Sequence, residues 1–210
     1  ISIPTYVLLF LGRRDSATEE ATAKYFFLSL LASAILLYGM SFLYGAGGGT
    51  TTIAGAATQP GIREAVGALP PDQLTLYLVG LVMVVGGLGF KIAAVPFHFY
   101  APDVYQGTTN TNAGLLAVVP KIAGIVALVR LVSTTLPSDA AIGWQLALVL
   151  SLLTMTIGNV CALWQRNIRR LLAYSSIAHA GYMLIGLAVG LAAPNLGGIA
   201  AMLFYLAVYA

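Results

Sequence analysis

The stretch LTLYLVGLVMVVGGLGFKIAAVPFHFY (residues 74–100) decides the fold, because it is apolar enough to cross a membrane and also carries residues that interrupt a helix. Continued to Val104, it would form a helix of roughly 46 Å at 1.5 Å per residue, whereas the hydrocarbon core of a bilayer is about 30 Å thick. Residues 86–89 contain three glycines, and Pro96 lacks an N–H and clashes with the preceding turn. The sequence therefore predicts a membrane helix that is kinked or unwound next to Lys91.

Lys91 and Lys121 are ionisable groups inside apolar segments. Lys121 lies in AGLLAVVPKIAGIVALVRLV (113–132), directly after Pro120, and we expect that helix to be broken in the same way. An ionisable group near the bilayer centre costs at least about 2.5–3.5 kcal/mol, and unwound backbone at that depth is tolerated only inside protein or beside water. Both features point to a charge or proton pathway. The alternative is that proline and glycine are simply frequent in membrane helices.

The composition predicts a membrane protein rather than a soluble one. The chain is 59% hydrophobic and 8% charged, whereas soluble domains are roughly 25% charged. Its formal charge of +3 is too small and too dispersed to indicate nucleic-acid binding. With a single cysteine it has no disulfide framework and no cysteine-ligated cluster. No glycine-rich phosphate loop follows a strand pattern, so we expect any redox chemistry to occur elsewhere.

The hydropathy pattern predicts an all-α polytopic protein in one membrane domain, residues 1–210. Because the chain begins at Ile1 inside an apolar run and stops inside another, we expect it to be a fragment. Segments of about 20 apolar residues indicate five full spans, at 22–45, 73–100, 113–136, 142–165 and 168–192. Two partial helices are predicted at 1–12 and 196–210. The predicted loops are 13–21, 46–72, 101–112, 137–141, 166–167 and 193–195, and 46–72 is expected to be long and exposed.

The basic residues predict the orientation. If the helices alternate, six fall on one side and two on the other, which assigns the first side to the cytoplasm or its organellar equivalent. The six are Arg13, Arg14, Lys24, Arg166, Arg169 and Arg170, and the two are Arg63 and Arg130.

The acidic residues leave Lys91 without an expected partner in this chain. All seven fall in predicted loops or at helix ends: Asp15, Glu19, Glu20, Glu64, Asp72, Asp103 and Asp139. A nearby carboxylate that moved would switch a buried lysine between holding and releasing its proton. We therefore expect the partner of Lys91 to lie outside this chain, unless the lysine rests neutral.

His98 and Lys24 are further candidates for proton transfer. His98 follows Lys91 by seven residues, so both side chains share one face if the helix resumes. Histidine can hydrogen-bond through both ring nitrogens, which makes His98 either a relay toward the cytoplasmic side or a capped interfacial residue. Lys24 lies one turn into its helix, where extension of the side chain toward the interface is the simpler interpretation.

A polar stripe runs along the helix predicted at 168–192. Tyr174, Ser175 and Ser176 precede His179 by one turn or more. Such residues either hydrogen-bond neighbouring helices or relay protons.

Three blocks of this sequence resemble one family: GFKIAAVPFHFYAPDVYQG (89–107), VVPKIAG (118–124) and QRNIRRLLAYSSIAHAGYMLIGL (165–187). They are similar to subunit N of the proton-pumping NADH–quinone oxidoreductases (respiratory complex I), an antiporter-like membrane subunit. The resemblance implies a 14-helix antiporter-like fold of two inverted five-helix repeats, of which this chain covers about helices 5 to 11. It also implies proton translocation coupled to quinone reduction. The sister subunits M and L and the cation/proton antiporters share the broken-helix lysine. The alternative function is therefore a stand-alone cation/proton antiporter or a hydrogenase membrane subunit, and an inactive scaffold is a third possibility.

The resemblance also assigns residue roles. A fifth-helix glutamate that pairs with the seventh-helix lysine would fall before Ile1, and the twelfth-helix lysine would lie beyond Ala210. Residues 107–112 (GTTNTN) depart from the Gly-Ala-Pro-Thr-Pro common in relatives, which leaves the detail of that loop open. The matched positions are Lys91 in the broken seventh helix, Lys121 in the eighth, His98 after the break, Lys24 in the sixth, and Tyr174 and His179 in the tenth.

For cofactors and partners, the resemblance implies a translocase subunit with no metal or cofactor in this chain. Quinone, FMN and iron–sulfur clusters would belong to partner subunits. The implied partners are other membrane subunits of complex I and the lipid bilayer, without nucleic acid. The implied location is the bacterial inner (plasma) membrane, with an organellar inner membrane as the weaker alternative.

Overall fold

The computed structural model describes residues 2–11, 15–55, 60–136 and 141–210. Within these residues the chain is helical, with no strand. The α-helices are α1 (Ser2–Phe10), α2 (Ser16–Ala46), α3 (Ile62–Gly67), α4 (Pro71–Ile92), α5 (Tyr100–Gly107), α6 (Asn110–Thr135), α7 (Ala141–Leu163), α8 (Ile168–Ala192) and α9 (Gly198–Tyr209). Two 3₁₀ helices cover Phe97–Phe99 and Pro194–Leu196.

In the part of the chain that the structure describes, five helical segments are long and apolar enough to cross a membrane, which confirms the predicted all-α polytopic class and its five full spans. They are Ser16–Ala46, Gln73–Gly107, Asn110–Thr135, Ala141–Leu163 and Ile168–Ala192. The second of them combines α4 and α5. The two partial helices of the prediction correspond to α1 and α9, which are shorter.

Three predicted loops are wrong in part. Within the predicted loop 13–21, α2 already begins at Ser16. Residues 46–72 are not entirely exposed loop, because α3 forms within them and buries Ile62 and Val66 against the ends of the longer helices. Residues 101–112 are mostly helical, with only Thr108 and Thr109 between α5 and α6. The polar character of this stretch suggested a loop, yet backbone groups at membrane depth need internal hydrogen bonds, which a helix supplies.

The structure places part of the predicted basic side at one end of the molecule. Lys24 and Arg170 both contact Asp103, and Arg169 donates to the backbone carbonyls of Gln106 and Thr108. Lys24 is near the start of α2. The other end of α2, at Gly47, lies against Ile62 of α3. Arg13, Arg14 and Asp139 lie outside the described residues.

The loop before α3 contains a pH-sensitive contact. Backbone N–H groups of Glu64 itself, Gly61 and Gly55 hold the pKa of the Glu64 carboxyl below its ordinary value of 4.5. The Glu64 oxygen accepts at 2.8 Å from Gly61 and 3.1 Å from Gly55. A lowered pKa stabilises the fold above the ordinary pKa and stops doing so as pH falls through the lowered value.

We therefore expect Glu64→Gln to reduce hydrogen-exchange protection of the Gly61 amide at neutral pH. Protection factors, corrected for intrinsic exchange, measure this in the full-length protein. Because protonation makes the native carboxyl resemble the amide, the difference between the two proteins should shrink as pH falls below 4.5. A difference that is the same at every pH would contradict this assignment.

Candidate functional site

The predicted break beside Lys91 is present. α4 ends at Ile92, and Ala93 adopts the left-handed region with φ 57°. Left-handed backbone is rare for a residue with a Cβ and costs roughly 1–2 kcal/mol, so the surrounding contacts hold it there. The chain then passes Pro96 and the short 3₁₀ helix before α5 begins at Tyr100. Lys91 therefore lies in the last turn of a helix that ends within the candidate membrane span Gln73–Gly107.

Hydrogen bonds to α7, to α5 and within the turn itself satisfy backbone groups of this break. The N–H of Val95 donates to Oγ1 of Thr154 on α7 at 3.1 Å. The hydroxyl of Tyr100 donates to the carbonyl of Phe90 at 2.8 Å, and the N–H of Ala94 donates to the carbonyl of Gly89 at 2.8 Å. This is the arrangement that permits irregular backbone at membrane depth.

Lys91 lies halfway along the neighbouring spans. A Cβ added to Gly124, near the middle of α6, would stand 3.1 Å from the Lys91 Cβ. The amine lies 5.4 Å from the centroid of the Phe90 ring. At the C-terminus of α4, the helix dipole also favours a positive charge. The half-buried lysine is therefore held in the interior of the bundle.

The absence of a side chain at Gly124 lets α6 approach the end of α4. A Cβ there would stand 2.7 Å from Cγ2 of Ile92, so Gly124→Leu must displace the Lys91 turn. Overpacking of this kind costs about 1–3 kcal/mol. We expect a lower melting temperature and less assembled full-length protein.

The control for that substitution is Gly45→Leu, because nothing lies within 4 Å of the position its Cβ would occupy. Equal losses of thermal stability in the two variants would show that the close contact with α4 is not the cause.

Lys121 is buried, with 2% of its surface exposed. The predicted break at Pro120 is wrong, because α6 continues through this proline from Asn110 to Thr135. Pro120 removes one hydrogen bond, to the carbonyl of Leu116, and no left-handed residue follows it, as Ala93 follows α4. A single lost bond in a packed helix does not unwind it.

The amine of Lys121 is held by α8 and α9. It donates to both the backbone carbonyl and the hydroxyl of Ser176. The amine also donates to the Tyr209 hydroxyl at 3.4 Å, and it lies 5.0 Å from the centroid of the Tyr209 ring. The Ser176 hydroxyl in turn bonds the hydroxyls of Tyr209 at 2.6 Å and Tyr105 at 3.2 Å.

The two lysines line one small cavity of about 10 Å³, here called the lysine cavity. A volume of roughly 10–15 Å³ holds one water molecule. Three tyrosines, Tyr25, Tyr100 and Tyr105, also line it. Leu116 and Pro120 line it as well.

A larger space is lined by Ser176 and Tyr209, the two residues that bond the Lys121 amine. This outer cavity, of about 380 Å³, is lined from α5, α6, α8 and α9 by residues that include Tyr105, Arg169, Ser176, His179 and Tyr209. Its wall therefore carries hydroxyl, imidazole and guanidinium groups close to a buried amine.

The remaining predicted site residues lie apart from the lysine cavity. His98 belongs to the 3₁₀ helix, and its Nδ1 is buried without a hydrogen-bond partner among the described residues. Helix does not resume directly after Lys91, so the condition for Lys91 and His98 to share a helix face is not met. His179 lines the outer cavity, and its Nδ1 bonds the Tyr205 hydroxyl at 2.6 Å. Tyr174 interacts with Arg170 and Asp103.

Asp103 is the residue that the sequence interpretation missed. It was predicted in a loop, but it lies in the first turn of α5 and accepts from Arg170 at 2.6 Å and Lys24 at 2.7 Å. Lys24 also contacts Glu20 at 2.6 Å, so this partly exposed lysine joins an ion-pair network rather than only reaching toward the interface. The network ties the second half of the broken helix to α2 and α8.

The side chains that commonly bind metal ions do not cluster in the described residues. Among residues 2–11, 15–55, 60–136 and 141–210, no three His, Cys, Asp or Glu side chains come together as metal ligands.

The sequence matches, over residues 1–210, the family described as NADH:quinone oxidoreductase/Mrp antiporter, TM. A relative from Coxiella burnetii, NADH-quinone oxidoreductase subunit N, is 40% identical over 100% of this chain and 41% of its own length. NAD(P)H-quinone oxidoreductase subunit 2 from Thermosynechococcus vestitus is 44% identical over 100% of this chain and 38% of its own length. The chain thus spans about two fifths of the length of these relatives.

Solved structures agree with this similarity. A chain of respiratory complex I from Thermus thermophilus, determined with bound aureothin, is 38% identical with a TM-score of 0.75, over 99% of this chain and 41% of that chain. A chain of the Mrp complex from Dietzia sp. is 28% identical with a TM-score of 0.79, over 97% of this chain and 36% of that chain. These similarities confirm the resemblance to subunit N and the antiporter-like fold. This chain belongs to the family of membrane subunits that NADH:quinone oxidoreductases share with Mrp antiporters.

Proposed function

We propose that this chain carries proton-transfer groups of an antiporter-like subunit in a proton-translocating NADH:quinone oxidoreductase. The observation that supports it most strongly is that Lys91, at a helix end inside the membrane, and the buried Lys121 line the same lysine cavity. Two lysines that line a space for one water can exchange a proton through it without crossing lipid.

The direction of transfer would follow from charge repulsion. Two ammonium groups facing one small cavity repel each other, and the low dielectric of the interior strengthens that repulsion. When Lys91 gains a proton or its ion pairing changes, Lys121 is driven to release its own. The hydrogen-bond acceptors around Lys121 are neutral, since Ser176 and Tyr209 supply only hydroxyl and carbonyl oxygens. They can hold either form of the amine.

Coupling to electron transfer would come from other subunits. The named relatives are subunits of quinone oxidoreductases, and the structural neighbours are chains of multi-subunit membrane complexes. We therefore place other membrane subunits of complex I beside this chain, and quinone, FMN and iron–sulfur clusters in partner subunits. The proposed location is the bacterial inner membrane.

A cation/proton antiporter is the second candidate, because the Mrp chain has the same fold. The identity of 38% to the complex I chain against 28% to the Mrp chain favours the oxidoreductase.

The test uses the full-length subunit in its native complex, purified through this subunit and sealed into vesicles. The oxidoreductase predicts that NADH and quinone together drive proton uptake that an uncoupler abolishes. If the chain belongs to an antiporter, NADH and quinone should drive no proton uptake. A pH gradient imposed across the vesicle membrane should instead collapse when sodium is added without NADH. The second result would overturn the proposal.

A further inference from the structure

We infer that the hydroxyl of Ser176 relays protons between Lys121 and the outer cavity, an inference that rests on the proposed function. Lys121 lines the lysine cavity, whereas Ser176 and Tyr209 line the outer cavity. Tyr105 lines both. The serine therefore stands between the buried amine and the larger space.

The hydrogen bonds of Ser176 form a junction of three side chains. Its Oγ bonds Lys121, Tyr209 at 2.6 Å and Tyr105 at 3.2 Å. A hydroxyl has one proton to donate and two lone pairs, and an ammonium group only donates. The Ser176 oxygen must then accept from Lys121, donate to one tyrosine and accept from the other. Every hydrogen-bonding position of this hydroxyl is used.

Two arrangements satisfy this count, and they differ in which tyrosine receives the serine proton. Tyr209 lies on α9, while Tyr105 lies on α5, the second half of the broken helix. Rotation of the three hydroxyl hydrogens, on Ser176, Tyr105 and Tyr209, converts one arrangement into the other without moving a heavy atom. The direct contact from Lys121 to Tyr209, at 3.4 Å, is longer and weaker than the path through Ser176.

The transfer balances in protons. The Lys121 ammonium gives a proton to Ser176 Oγ as the serine hydroxyl gives its own to the Tyr209 oxygen. Tyr209 then passes its original proton to water in the outer cavity, whose wall it forms with His179. Lys121 ends as a neutral amine, both hydroxyls are regenerated, and the water carries the proton. The reverse sequence reloads Lys121.

The experiment measures protons translocated per NADH oxidised, and the H₂O/D₂O rate ratio, for the intact complex in sealed vesicles. Ser176→Ala should lower proton translocation by about tenfold, less than the roughly 10²–10⁴-fold of a fully lost proton-transfer group, because water can replace the hydroxyl. It should also raise the isotope ratio, which a purely structural loss would not. Ser176→Thr keeps a hydroxyl, so its proton translocation and its isotope ratio should both match those of the native complex.

Ser151→Ala is the matched control. Ser151, on α7, is also buried, and its hydroxyl donates to the Gly181 carbonyl of α8 at 2.8 Å. It lines neither the lysine cavity nor the outer cavity. It should leave both readouts unchanged. If Ser176→Ala prevents assembly, Tyr209→Phe carries the test, because it cuts the route after the serine, and it should show the same two changes.

An assembled Ser176→Ala or Tyr209→Phe complex with normal translocation and isotope ratio overturns the relay. Lys121→Met separates this failure from that of the proposed function. If Lys121→Met abolishes translocation while Ser176→Ala does not, only the relay is wrong. If Lys121→Met also translocates normally, the proposed function is wrong.

Discussion

Lys121→Met in the full-length subunit should reduce NADH-driven proton translocation by about 10²-fold, the lower range for loss of a positioned proton-transfer group. Methionine is close to lysine in length and is apolar, so it fills the buried position but carries no proton. The hydroxyls of Ser176 and Tyr209 remain bonded to each other at 2.6 Å, so neither is left buried without a partner. The fold should therefore survive the change.

Proton uptake into sealed vesicles, measured beside the amount of assembled complex and its NADH oxidation, checks this expectation. Arg130→Met is the control, because this exposed cation lies on the same helix, nine residues after Lys121. It should pump normally. An assembled Lys121→Met complex that pumps like the native one would remove Lys121 from the proton path.

Lys91→Ala should reduce proton translocation by at least about tenfold. The substitution removes the amine that shares the lysine cavity with Lys121, and thereby the charge that would drive Lys121 to release its proton. The break itself should persist, because its backbone contacts with Thr154 and Tyr100 do not involve the lysine side chain. Proton uptake and assembly are measured as for Lys121.

Lys91→Arg decides what the lysine contributes. A guanidinium keeps the positive charge but is not deprotonated in proteins. If Lys91 exchanges protons, the arginine variant should pump as poorly as the alanine variant. Recovery of pumping with arginine would mean that Lys91 acts as a fixed charge. Normal pumping by the alanine variant would mean that the broken helix is structural.

The sequence predicted the features that depend on local chemistry. The break at Lys91 follows from Pro96 and the preceding glycines, and the structure adds the left-handed Ala93 that ends the helix. Pro120 has no comparable neighbour, and its helix continues because the other backbone bonds of α6 remain. A proline by itself therefore predicts a lost hydrogen bond more reliably than a broken helix.

Contacts between distant helices could not be predicted in the same way. Ser176 meets Lys121 across 55 residues of sequence, and nothing in the pattern of α8 distinguishes it from Ser175. Asp103 was placed in a loop because polar residues follow the proline, whereas its carboxylate joins α5 to Lys24 and Arg170. Tyr205 and Tyr209 resemble ordinary lipid-facing aromatics until α9 packs on α8.

The amine of Lys121 also bonds the main-chain carbonyl of Ser176. Every amino acid carries that oxygen, so no substitution at position 176 can take it away. Substituting every amino acid at position 176 would therefore report only the contribution of the hydroxyl. A natural substitution of the serine would leave the bond from the Lys121 amine to the main-chain carbonyl in place. Tolerance of position 176 to variation would thus understate how firmly α8 holds the buried amine.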